Sequence, residues 1–116
     1  MNHIKLIFKN SNSLQEKSNL FFNKSELKII LSFYSEMVSK GLWRDYGLNI
    51  SKEEVSFNVY KRASENPEFR ICKNFKKKNQ DYKYFILDSH GRVLNISKNL
   101  QEVLFKTRWK KLKLVN

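Results

Sequence analysis

Three residues carry soft or imidazole chemistry in this 116-residue chain: Cys72, His3 and His90. A metal site needs several such ligands at short spacing. They are too few and too far apart here, so neither a metal nor a cofactor is expected. A Cys72–His90 pair would suit nucleophilic catalysis if the fold joined them, but no neighbouring signal activates Cys72. A small strand residue packed in a core is the simpler role for it. Glu53–Glu54 and Glu65/Glu68 are carboxylate pairs in turn-like stretches, where solvated charge is expected and acid–base work is not. No residue is given a catalytic role, and a non-enzymatic protein is expected.

Charge is the stronger signal. The chain has a formal net charge of +12, from 18 Lys and 5 Arg against 11 acids. Charge of that size suggests an anionic partner. The 13 Asn beside the lysines also fit the codon bias of an AT-rich genome. Distribution bears on the choice. Residues 1–58 hold 8 basic and 6 acidic side chains, net +2, and residues 59–116 hold 15 and 5, net +10. Uniform bias does not produce that asymmetry, which supports a basic face.

Two lysine groups supply it. Lys76, Lys77 and Lys78, with Lys73 just before, fall in an interval between strands. Lys106, Arg108, Lys110, Lys111 and Lys113 form a second group with no acid among them and with Trp109 inside it. Basic residues around an aromatic suit phosphate contact with base stacking. They equally suit an anionic bilayer with Trp109 at the headgroups, or a solvated surface. No nucleic-acid-binding motif is present, so binding would follow the backbone with little sequence readout. The expected partner is nucleic acid or a ribonucleoprotein, provided the two groups converge into one patch.

Arginine is scarce, and a position still written Arg can require the planar five-donor guanidinium. Arg44 beside Asp45, and Arg62 and Arg70 around a loop with Glu65 and Glu68, define a second candidate region, an anion or protein-partner site. Structural Arg–carboxylate pairs explain the same residues, and the nearness of the acids favours that reading. Trp43 and Tyr46 would be exposed docking residues in the first case. More commonly such rings pack at a helix end with only the polar tip wet. A protein–protein adaptor using Trp43–Tyr46 and Arg62–Arg70, with incidental charge, is the rival function.

The elements that must hold these residues are well marked. Val55, Phe57 and Val59 alternate with Ser56, Asn58 and Tyr60, as in a half-buried strand, and Phe69 and Ile71 begin a second one. Pro67 makes the link between them a hairpin loop. Upstream, Asn23 and Glu26 form a capping box, with Phe22 and Leu27 at hydrophobic-staple spacing. Leu27, Ile30, Leu31, Tyr34, Met37 and Val38 share one helical face, and Gly41 ends the helix with Leu42 folding back on Met37. A helix over 24–40 follows. Trp43–Ile50 reads as a short strand or extended turn. Tyr82–Leu87, apolar on both parities, reads as an interior strand. Asp88–Gly91 is a turn, and Arg92–Ile96 a strand with Leu94 and Ile96 inward. Asn99 with Glu102, or Ser97 in competition, caps a second helix ending near Arg108. Ile4, Leu6 and Phe8 would suit an added edge strand, and Lys110–Asn116 a last short one.

Between Phe22 and Val115 these elements resemble a known pattern: Phe22, Lys24, Glu26 and Leu27; then Gly41, Trp43, Arg44, Asp45 and Tyr46; then Phe57, Val59, Lys61–Glu65, Pro67 and Phe69–Ile71; and finally Lys111–Val115. The chain is similar to a small proteobacterial domain family of unknown function. The resemblance implies no activity, cofactor or partner.

A chain of this length forms one domain burying roughly 65% of its unfolded surface. The expected fold is α+β: a long N-terminal helix and a short C-terminal helix on one face of an antiparallel sheet of about four strands. Residues 1–21 are expected to be a flexible extension and residues 22–116 the domain. The lone cysteine excludes an internal disulfide. The longest apolar runs, such as Ile29–Leu31, are far below a membrane span, so integral membrane insertion is not expected. The start is too short in apolar residues for a secretory signal, and a cytoplasmic location is expected.

Overall fold

The computed structural model describes residues 21–62, 66–75 and 83–109. Helix α1 runs Lys24–Ser39. Five strands follow: β1 (Asp45–Ile50), β2 (Glu54–Tyr60), β3 (Phe69–Asn74), β4 (Tyr84–Asp88) and β5 (Val93–Ser97). Helix α2 (Leu100–Lys106) comes last. The fold is α+β, with an antiparallel sheet in meander order β1-β2-β3-β4-β5.

Helix α1 is fixed at both ends by local chemistry. The Glu26 amide donates to Asn23 Oδ1 at 2.8 Å and the Asn23 amide to Glu26 Oε1 at 2.7 Å, satisfying two amides that a helix start leaves without partners. At the other end Gly41 takes φ +75°. Its amide donates to Val38 O at 2.9 Å, and the Leu42 amide to Met37 O at 3.0 Å. These are the paired bonds of a Schellman ending, and they turn the chain into Trp43 and β1.

Cross-strand partners share a face of the sheet. Leu48, Phe57, Ile71, Ile86 and Asn95 therefore form one row across it, and Val55, Lys73 and Tyr84 form another. Both helices lie on this face. The Tyr34 ring meets Phe57 at 5.7 Å and Tyr46 at 5.1 Å, while Asn95 Nδ2 donates to Val103 O at 3.4 Å. The core is the layer between, where Ile30, Val55, Phe57, Val59, Ile71, Ile86 and Val103 have no exposed surface.

Three details depart from the sequence reading. The sheet has five strands and not about four, because Asp45–Ile50 pairs with β2 along its whole length. In β5 Leu94 packs against the core as expected, but Asn95 also faces inward and Ile96 is exposed. A register shift between Ile86 and Leu87 places Val93 opposite Leu87 but Asn95 opposite Ile86. The extra residue is Leu94, and an inserted residue reverses the parity of everything after it. Finally Phe21, assigned to the extension, is buried against Phe22 at 5.9 Å. The rest of the expected extension, the strand at Ile4–Phe8 and the strand at Lys110–Asn116 lie outside the described residues.

Candidate polyanion interface

The two candidate regions meet through their aromatic rings. Trp43, just past α1, and Trp109, just past α2, stand edge to face with centroids 5.2 Å apart. Phe33 of α1 touches both at 5.7 Å, and Phe69 of β3 closes on Trp109 at 4.7 Å. Trp109 Nε1 donates to Leu104 O at 2.9 Å, which satisfies the indole inside the cluster. Only 3% of Trp43 and 8% of Trp109 is exposed. This corrects the assignment of Trp109 as a stacking residue, and for Trp43 it agrees with the packed reading over the docking one. Tyr46 is half-buried, stacked on Phe57 at 4.7 Å and 8°.

Among the described residues the exposed aromatic is Phe105, which sequence reasoning did not single out. It is 70% exposed, and among the described residues its ring pairs with Phe33, nearly perpendicular, at 6.1 Å. Its one signal in the sequence is position: it falls off the α2 stripe of Leu100, Val103 and Leu104, directly before Lys106. Lys106 and Arg108 beside it are both exposed. Lys106 reaches Glu102 at 3.6 Å, a solvated pair of little energetic consequence. Arg108 forms no ion pair among the described residues, and neither does Arg44, which follows Trp43. The Trp43–Trp109 contact thus brings together the chain segments that carry Arg44 and Arg108.

Arg44, Arg62 and Arg70 share one end of the sheet. The Arg44 amide donates to Tyr60 O at 2.7 Å, Arg62 follows the end of β2, and Arg70 lies opposite Asn58. The expected Arg–carboxylate pairs are not formed among the described residues. Asp45 instead accepts from the Tyr46 amide at 2.8 Å. Glu65, the partner nearest in sequence to Arg62, lies outside the described residues, as do Lys76, Lys77, Lys78, Lys110, Lys111 and Lys113.

Lys73 does not belong with the loop lysines. Strand alternation turns it onto the helix-covered face, where it is 6% exposed. Its Nζ donates to Glu26 Oε1 at 2.7 Å and to Phe21 O at 3.0 Å. The Tyr84 hydroxyl donates to Glu26 Oε2. Burial alone pushes the Glu26 carboxyl up, but hydrogen bonds from Lys73, Tyr84 and the Asn23 amide, with the attraction of the ammonium, hold it below its ordinary value. Tyr84 is pushed up by burial and by the same carboxylate. This cluster clasps the start of α1 to β3 and β4.

Cys72 is buried on the opposite face of β3, and burial pushes its thiol up to about 12. A thiol held that high supplies no thiolate near neutral pH. His90 is exposed in the β4–β5 turn, past the far end of β4, whereas Cys72 lies opposite Phe85 near that strand's start. The two are not joined. Among the described residues no helix is long and apolar enough to cross a membrane.

The architecture defines a small α+β domain in which two helices cover one face of a five-stranded meander. The chain belongs to the family described as protein of unknown function (DUF2794), whose model matches residues 20–104. That span takes in α1, the whole sheet and most of α2, and stops just before Phe105. No curated protein and no solved structure matches the chain.

Proposed function

We propose that this domain is a non-enzymatic binding protein for polyanions, nucleic acid or a ribonucleoprotein surface above all, and that it works in the cytoplasm without reading sequence. The observation that carries the reading is the pair Arg44 and Arg108. Each is exposed, neither is in an ion pair among the described residues, and each adjoins a buried tryptophan of one aromatic cluster. Cations held near fixed positions contact phosphates at a lower entropic cost than freely moving ones. The excess of basic residues in the second half of the chain would extend that surface through Lys106 and the lysines near 76 and 110.

The test is a fluorescence anisotropy titration on mixed-sequence DNA and RNA at two salt concentrations. Affinity falls steeply with salt if phosphate contacts dominate. An Arg44→Ala, Arg108→Ala double variant lowers the log–log salt slope by roughly one per phosphate contact removed. Absence of binding near physiological salt refutes the proposal.

A protein–protein adaptor docking through the Trp43–Tyr46 and Arg62–Arg70 region is the second reading, and one further surface favours an adaptor role. Val93 and Ile96 are exposed on β5, opposite Leu87 and Phe85, on the face of the sheet away from the helices. Failure of the nucleic-acid titration would leave this apolar surface as the better guide.

A further inference from the structure

We infer that the polyanion is a single strand and that Phe105 is the platform on which one of its bases stacks. This rests on the polyanion reading proposed above and narrows it to unpaired nucleic acid.

The inference starts from a side chain that has no structural task of its own size. Helix α2 is held down by Leu100, Val103 and Leu104, all buried, and by the N-cap bond from the Glu102 amide to Asn99 Oδ1 at 2.9 Å. Phe105 stands outside that stripe with 70% of its surface in solvent. A single exposed apolar side chain is ordinary on a protein surface; what sets Phe105 apart is its place against Phe33 and next in sequence to the exposed cations Lys106 and Arg108.

Its surroundings suit a base. Phe33 supports the ring from one side at 6.1 Å and 75°. Phe33 is itself fixed between Trp43 and Trp109, so the platform stands on a packed base. The exposed cations Lys106, which also reaches Glu102 at 3.6 Å, and Arg108 follow it in sequence and are the groups that would contact a phosphate flanking the stacked base. An aromatic face among cations is the arrangement by which proteins hold unpaired strands, since every base has a π face and needs no particular edge. A duplex keeps its base faces stacked on one another and offers such a ring nothing but phosphates. The same is true of a polyanion without bases. Insertion of Phe105 into an anionic bilayer is the competing use of the same chemistry, and the test separates it.

The experiment uses the full-length chain and three variants: Phe105→Ala, Phe105→Tyr and Arg108→Ala. Anisotropy is measured at one salt concentration on a labelled mixed-sequence single strand and on the same sequence as a duplex. Heparin competition and co-sedimentation with anionic phospholipid vesicles complete the set. Circular dichroism melts verify folding, which an exposed position should leave intact. Phe105→Ala is expected to weaken single-strand binding by about five- to a hundredfold, the loss of one stacked base. Its affinity for duplex and heparin should stay at the wild-type level. Phe105→Tyr keeps an aromatic face and should restore single-strand binding. Arg108→Ala should weaken all three polyanions together.

Single-strand affinity unchanged in Phe105→Ala overturns the inference while leaving the polyanion reading in place. Equal losses on single strand, duplex and heparin do the same. Vesicle binding that depends on Phe105, without such dependence on the single strand, overturns it in favour of a membrane surface. Wild-type protein that binds no polyanion refutes the underlying reading as well.

Discussion

Glu26 shows how much one side chain can carry that its neighbours in sequence do not reveal. Asn23 three residues before it explains Glu26 completely as a capping-box residue, and local reasoning stops there. Its second role, as acceptor for Lys73 and Tyr84, joins residues far apart in the chain. No periodicity points at a contact of that separation. Lys73 is equally hidden, because it precedes a run of lysines and shares their type. Removing one partner of a buried pair leaves an uncompensated charge, whereas removing both costs far less. Lys73→Met should therefore destabilise the fold by about 3–5 kcal/mol. The double variant Lys73→Met, Glu26→Gln should recover much of that loss. Urea denaturation at neutral pH measures both, and equal stabilities of the single and double variants would refute the coupling.

The same carboxyl predicts an acid response. Its pKa is lower in the folded state than the ordinary 4.5, so folding favours the ionised form. The contribution is whole above the unfolded value and drains away as pH falls below about 4.5 through the folded one. Glu26→Gln cannot titrate. Its stability should fall less steeply than wild type over that acid range, in denaturation midpoints taken at successive pH values. Parallel curves would exclude Glu26 as the source.

At the scale of elements, what sequence makes visible is whatever local geometry fixes. The cap at Asn23, the turn at Gly41 and the alternation of β2 each depend on residues within a few positions, and each is found in the structure. β1 is less plain, since Gly47 and Asn49 dilute its alternation of Tyr46, Leu48 and Ile50. The parity of β5 is legible only as far as Leu94, which packs on the core, because the bulge that reverses it from there adds a residue without leaving a mark in residue type. The glycine after α1 and the glycine inside β1 differ in a measurable way. Gly41 has open space where a Cβ would stand, with nothing within 4 Å, yet takes φ +75°. Gly41→Ala should cost about 1 kcal/mol from backbone conformation alone. Gly47 takes no positive φ, and a Cβ there meets Tyr60 at an ordinary 3.8 Å. Gly47→Ala should be nearly neutral or slightly stabilising, since it also restricts the unfolded chain. Thermal melts of the two variants distinguish backbone strain from crowding, and similar losses would contradict this account.

For the whole molecule, the sequence indicates a basic protein with two candidate regions, and the fold joins parts of both around Trp43 and Trp109. It also reassigns roles within them. The tryptophans are inside, Phe105 is outside, and Lys73 is neutralised, none of which residue type alone distinguishes. Whether the charge acts as one surface is a question about salt dependence. For a single strand the log–log slope is about −0.7 per phosphate neutralised. Changing Lys76, Lys77 and Lys78 together to Gln removes three charges from one segment, and changing Lys110, Lys111 and Lys113 removes three from another. If both segments reach the bound strand, each triple variant flattens the slope by up to about 2, and the sextuple variant flattens it by nearly the sum. If only one segment reaches it, the other variant leaves the slope at the wild-type value. A slope that neither variant moves would mean that the lysine excess is compositional, and that Arg44, Lys106 and Arg108 carry whatever binding remains.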